Sequence, residues 1–176
     1  TGSYDAELNT VYWGIGNPGP FNAAVRPGDN LYTCSVLALD PKTGKIKWHY
    51  QFSPADPFDY DGVNELVMAD LQIDGKASKV VMQANRNGFF YVLDRTNGKF
   101  ISANKFVMQT TWADGYNAKT GRPNFVPENR PGDPTKGPDG KKGNVVFSAP
   151  SFLGGKNQMP IDRKSTRLNS SHRCLS

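Results

Sequence analysis

The stretch ALDPKTGKIKW, residues 38–48, decides how this chain folds. It leaves an apolar strand pattern at Leu-Asp, crosses three residues to Gly-Lys, and returns as a second strand carrying Trp48. A near copy, VLDRTNGKFIS, occupies residues 92–102, with Asp94 lying 54 positions after Asp40. Self-similarity at a period of about 20–50 residues or slightly more marks solenoids and propellers.

The text around these two hairpins is of the same kind. TVYWGIG (10–16), LYTCSVLALD (31–40), KIKWHYQF (45–52), ELVMADLQI (65–73), SKVVMQAN (78–85), GFFYVLD (88–94) and KFISANKFV (99–107) are rich in β-branched and aromatic residues, as strands are. Asp74-Gly75 and Asn97-Gly98 are expected to supply the positive φ angles of tight turns. A propeller blade is a four-stranded antiparallel meander, so these strands and one neighbour make two blades. No helical periodicity competes. Residues 113–146 are dense in Pro, Gly and polar side chains and read as a long surface excursion or a linker. The apolar pattern resumes in VVFSAPSFLGGKNQMP (145–160).

The chain has 176 residues and a formal charge of +5. Four of the 21 basic residues and one of the 16 acidic residues fall after residue 160, which leaves +2 for the rest. The run DRKSTRLNSSH (162–172) resembles a translated sequencing adapter, so 161–176 is set aside as a non-native tail. A basic tail for nucleic acid or membrane is the competing reading. Without the tail, the charge balance calls for no nucleic acid. No run is long enough for a membrane span. Cys34 then stands alone, excluding an internal disulfide, and reads as a small core residue. The opening TGSYDAELNTVYW reads as the middle of a longer protein, so the N-terminus says nothing about export.

Three segments can carry chemistry. In DPFDYDGVNE (56–65), Asp59 and Asp61 flank Tyr60. Alternate residues of an extended segment point the same way, so the two carboxylates converge on a cation or repel. From this motif alone a solvated acidic turn is the favoured reading, since Asp and Gly are ordinary turn formers. In WGIGNPGPFN (13–22), Asn17 offers an amide oxygen to a cation, or simply starts a turn with Pro18. In QANRNGFFYVLDR (83–95), Arg86 sits in a turn where its planar fork can clamp an anionic or quinone oxygen, or pair with Asp94. His49 reads as a packing residue, and no Ser-His-Asp or Cys-His arrangement is credible.

Together GNPGPFN, RPGDN, ALDPKTGKIKW, DYDGVNE, NRNGFFYVLDR and PSFLGGKNQMP resemble the pyrroloquinoline quinone (PQQ) dependent methanol/ethanol dehydrogenase family in order and near-spacing. The resemblance covers residues 1–160. It implies an all-β chain that is a fragment, about two to three blades, of an eight-bladed β-propeller. It also implies that ALDPKTGKIKW is a tryptophan-docking motif between blades; the second copy has Ser102 where Trp48 stands in the first. Position by position, the resemblance makes Asn17 a metal ligand and Asp59 the catalytic base close to the metal. Arg86 becomes the residue that bonds the reactive quinone carbonyl, and Asn157 a cofactor contact. Asp61 stands where lanthanide-type members carry a second aspartate and calcium-type members a small uncharged residue. The implied cofactors are PQQ and a lanthanide ion, with Ca2+ as the alternative.

The implied reaction takes a small primary alcohol to the aldehyde in the periplasm, with electrons passing to a c-type cytochrome. A homodimer of the full-length protein is left open. A vicinal disulfide, a glutamate ligand and a tryptophan under the quinone are implied upstream of Thr1, so the fragment alone is expected to be inactive and unstable. The competing class is a non-enzymatic propeller scaffold of the outer-membrane assembly type.

Overall fold

A computed structural model of the chain describes residues 2–132, 146–157 and 159–161. Its first sheet is an antiparallel meander of β1 (Gly2–Asp5), β2 (Thr10–Gly14), β3 (Ser35–Leu39) and β4 (Ile46–Gln51), hydrogen-bonded in that order. The second repeats the plan with β5 (Val67–Ile73), β6 (Lys76–Ala84), β7 (Phe89–Asp94) and β8 (Phe100–Lys105). A hairpin of β9 (Ala113–Tyr116) and β10 (Pro123–Phe125) follows. There is no α-helix among the described residues, only two short 3-10 turns. This is a segment of a β-propeller: two complete blades and a hairpin.

The two blades pack face to face. Val36 and Ala38 on β3 and Phe89, Tyr91 and Leu93 on β7 alternate inward, the period-two pattern that a strand imposes. They meet Tyr12, Tyr50 and Phe52 from the first blade in one aromatic-rich cluster that Trp112 closes. A ring such as Tyr91, with Phe52 at 4.7 Å and Tyr116 at 5.3 Å, adds edge and offset contacts to the area it removes from water.

The two homologous turns form alike. Gly44 N–H donates to the Asp40 carbonyl and Gly98 N–H to that of Asp94, each at 2.8 Å. The carboxylate oxygen of Asp40 also accepts from the amides of Lys42 and Thr43. A third copy appears where none was expected: in 117–122 the Gly121 amide donates to the Asn117 carbonyl at 2.8 Å, with Asn117 accepting from Lys119 and Thr120. It closes the β9–β10 hairpin inside the Pro/Gly-rich excursion. That excursion is described only to residue 132 and from 146, and the tail after Ile161 lies outside the described residues.

Trp48 ties the first blade to the second. Its indole N–H donates to the Arg95 carbonyl at 3.3 Å, and the Tyr12 hydroxyl donates to the same oxygen at 2.8 Å. The Arg95 side chain, itself buried, pairs with Asp5 at 2.7 Å, Asp70 at 2.5 Å and Glu7 at 3.2 Å. The Trp48 ring lies on Gly98, where an added Cβ would sit 2.5 Å from it. In the second copy Phe100, two residues before Ser102, takes this place against Gly121. Asn97 does not share the positive φ expected of it; only Gly98, at φ 76°, is left-handed there, whereas Asp74 and Gly75 both are.

Gly98→Ala is therefore expected to cost far more than Gly44→Ala. Both glycines are left-handed, a strain of about 1–2 kcal/mol for alanine. Gly44 faces open space, while a methyl at Gly98 must displace a ring held on both sides, which adds about 1–3 kcal/mol. Urea unfolding of the two variants in the complete protein checks this; equal midpoints would remove the docking role of Trp48.

Candidate active site

At one end of the blades three loops meet. The first follows β2: Ile15 N–H donates to the Ser35 carbonyl and Cys34 N–H to that of Gly16, both at 2.8 Å, which leaves Asn17 exposed at the rim. The second is the acidic segment before β5. The third is the β6–β7 turn, closed by Gly88 N–H to the Asn85 carbonyl at 3.1 Å, with Arg86 at its tip.

Asp59 and Asp61 do converge, but not through a uniformly extended chain. Asp59 is left-handed, φ 68°, and aspartate is among the few residues that tolerate this. Tyr60 turns the other way into the core, fully buried, its hydroxyl donating to the Pro150 carbonyl at 2.6 Å. Behind Asp61 the backbone presses into the first blade at Gly62. Its amide donates to the Ile15 carbonyl at 3.0 Å, and a Cβ there would lie 2.9 Å from three backbone atoms of Ile15 and Ser35. Only glycine allows that approach.

Arg86 joins the acids. One terminal nitrogen donates to Asp61; the other donates to the Phe152 carbonyl and lies 3.7 Å from Asp59. Asp94, the alternative partner suggested by its nearness in sequence, is not among its neighbours; distance along the strand separates them. Asp61 also accepts from the Asn17 backbone N–H at 2.7 Å. Thus Asn17, Asp59, Asp61 and Arg86 are brought into one cluster. Burial, then the Asp61 charge, raise the Asp59 carboxyl above its ordinary pKa, against the pull of the Arg86 guanidinium. The Arg86 Nε–H is buried and has no partner.

Asn157 is reached more indirectly. Gly154 packs on the Arg86 side chain, and Gly155 N–H donates to the Arg86 carbonyl at 2.9 Å. Asn157 itself is exposed, its carbonyl accepting from Lys156 at 2.9 Å. Lys156 pairs with Glu65 at 2.7 Å, a tie between distant segments that no local sequence signal announces. Cys34 is fully buried, as a core residue, and burial pushes its thiol far up. His49, expected to pack, is exposed with Tyr32 edge-on at 4.8 Å.

Asp56 anchors the acidic loop from below. It is 2% exposed and accepts from Tyr60 N–H at 3.0 Å and Phe58 N–H at 3.3 Å. Burial pushes its carboxyl up to about 6, against those bonds. Because the folded value exceeds the unfolded one, the folded state holds the extra proton. Stability then falls as pH rises from about 4 to about 6, by on the order of 3 kcal/mol. Asp56→Asn should abolish that slope. Unfolding midpoints at pH 4.5 and 7 for both proteins test it; an unchanged slope would reject the assignment.

The side chains gathered against Arg86 are two carboxylates, oxygen donors of the kind hard cations take, with Asn17 in the adjoining loop. No group of three His, Cys, Asp or Glu suited to a metal occurs among the described residues, so two carboxylates are all the acidic ligands this cluster offers a cation. The unpartnered Arg86 Nε–H is a donor waiting for an acceptor oxygen. The cluster therefore fits both a hard cation and a carbonyl-bearing cofactor.

Blade meanders whose loops gather acid, amide and guanidinium groups at one end define a β-propeller segment with part of a polar site. The family described as "PQQ: Glucose/ethanol/alcohol dehydrogenase, beta-propeller domain" matches residues 1–142, and the chain belongs to it. Quinoprotein alcohol dehydrogenase PedH of Pseudomonas putida is 54% identical over 160 residues, covering 91% of this chain and 26% of that protein. The lanthanide-dependent methanol dehydrogenase of Methylacidiphilum fumariolicum is 42% identical over 161 residues, 90% of this chain and 24% of the relative. Among solved structures, a europium-containing methanol dehydrogenase superposes with a TM-score of 0.82 at 41% identity, covering 91% of this chain and 26% of that one. The chain spans about a quarter of the length of these relatives.

Proposed function

We propose that the complete protein carrying this segment oxidises a small primary alcohol to the aldehyde, with PQQ and a metal ion. The observation that supports this best is the cluster itself: Arg86 placed against Asp59 and Asp61, beside the loop of Asn17. When bound, PQQ supplies a two-electron acceptor and the cation supplies Lewis acidity. Asn17, Asp59 and Asp61 would hold the cation. Asp59 is a third exposed and would take the alcohol proton as general base. Arg86 offers its buried Nε–H to developing negative charge, and the Phe152–Asn157 segment packed on it would bring Asn157 to the cofactor. Family membership favours this reading over a scaffold. A c-type cytochrome as electron acceptor and a periplasmic location belong to the same proposal.

The second carboxylate favours a lanthanide over calcium. A trivalent ion offsets the mutual repulsion of Asp59 and Asp61 more fully than a divalent one. The test reconstitutes the complete protein with PQQ plus lanthanum or PQQ plus calcium. Dye-linked alcohol oxidation should be faster with lanthanum, and residues 1–176 alone should show none. Asp61→Ala should shift the lanthanum-to-calcium activity ratio at least about tenfold toward calcium, one carboxylate at close range being worth about 1.4 kcal/mol or more in a partly buried site. Absence of alcohol oxidation with either metal would sink the functional reading; a ratio unmoved by Asp61→Ala would sink the lanthanide assignment alone.

A further inference from the structure

Arg26 is 8% exposed, and its partners are carbonyl and amide oxygens rather than carboxylates. Its Nε–H donates to the Pro20 carbonyl at 2.6 Å. One terminal nitrogen donates to the Asp56 carbonyl at 2.8 Å and reaches the Phe21 carbonyl at 3.4 Å. The other donates to the Asn30 side-chain oxygen, and the Asn30 amide in turn donates to the Pro27 carbonyl at 3.1 Å. One rigid guanidinium thus spans two segments that no strand ladder joins. Pro20 lies three residues after Asn17, and Asp56 three residues before Asp59. The loop it grips contains Pro18 and Pro20, which have no N–H to anchor it by themselves.

We infer that Arg26 is a positioning residue for the cation site: it fixes the separation between the Asn17 loop and the Asp59 loop by holding the Pro20 and Asp56 carbonyls on one planar fork. The inference rests on the proposal that Asn17 and Asp59 share a cation. A guanidinium can satisfy both carbonyls at once, whereas a lysine ammonium at that depth is a point charge without the fork. Groups that orient the ligands of a metal typically change its affinity by about 10–100-fold when removed.

The test uses the complete protein stripped of metal, with PQQ held at saturation, and titrates terbium(III) by its sensitised luminescence. Arg26→Lys should weaken terbium binding by about 10–100-fold. Arg122→Lys, which alters an exposed pair with Asp29, should leave it unchanged. Because Arg26 acts partly through Asn17, the double variant Arg26→Lys with Asn17→Ala should weaken binding by less than the product of the two single effects, an outcome general loosening of the fold does not produce. Asn30→Gly, which suits the φ of 58° there and removes the acceptor seating the guanidinium along with the exposed amide bond to Pro27, should shift affinity in the same direction. It decides the matter if Arg26→Lys does not fold. Wild-type affinity in Arg26→Lys, or in Asn30→Gly where that variant decides, overturns the inference and leaves the site intact. Failure of the wild-type protein to bind terbium saturably overturns the site reading and the inference together.

Discussion

Replacing Asp59 with asparagine is expected to lower kcat for alcohol oxidation by about 10²–10⁴, the range for loss of a general base, while the protein stays folded. The geometry makes this substitution unusually clean. Asparagine shares the tolerance of aspartate for a left-handed backbone, so the φ of 68° is kept. The substitution removes one ion pair, 3.7 Å long and made by a side chain 30% exposed, and such a pair stabilises by about 1 kcal/mol or less. Alanine would add backbone strain and confuse the result. A general base must be unprotonated to act, so kcat/KM of the wild-type protein should fall on the acid side. Asp59→Asn should lose that limb. Steady-state kinetics across pH measures both, and a variant within tenfold of wild type would exclude Asp59 as the base.

The second large effect falls on both stability and rate. Arg86→Ala removes the only cation seen against two carboxylates of this cluster among the described residues and leaves the Phe152 carbonyl without its donor. Breaking a buried pair from one side costs about 3–5 kcal/mol, because the remaining charge is stranded. Asp61, with its side chain only 18% exposed, is that charge. In the same variant kcat should fall by about 10²–10³, as when one donor to developing negative charge is lost. Arg86→Lys keeps the charge but cannot serve Asp61 and Phe152 together. It should recover part of the stability and little of the rate. Chemical denaturation and turnover measured on both variants separate the two contributions; full activity in Arg86→Lys would contradict a role for the fork.

Much of this architecture is written locally in the chain. The strands expected from β-branched and aromatic runs are present, and the Asp-x-x-x-Gly-Lys frame was readable because one aspartate and one glycine set the turn by themselves. β1 and β9 escaped for a physical reason. GSYD and ADGY are short and carry turn-forming residues, and they become strands only because a neighbour supplies a ladder and Ala113 and Tyr116 find a core. The third turn hid because asparagine replaced aspartate in a stretch crowded with glycine and proline. At the site, alternation correctly brought Asp59 and Asp61 together but for an incomplete reason, since the backbone kinks at Asp59. The partners of Arg86, the Lys156–Glu65 pair and the grip of Arg26 all join residues far apart in sequence. Only the fold sets such meetings.

The seam between the blades has one further property. Trp48 and Tyr12 both address the main-chain oxygen of residue 95, not its side chain. A peptide carbonyl is the same whatever amino acid bears it. The hydrogen bonds that attach one blade to the next therefore do not read the side chain at position 95, whereas the buried ion pair with Asp5 does. One residue thus carries two separable ties: its main chain holds the neighbouring blade, and its side chain holds the charges of Asp5, Asp70 and Glu7.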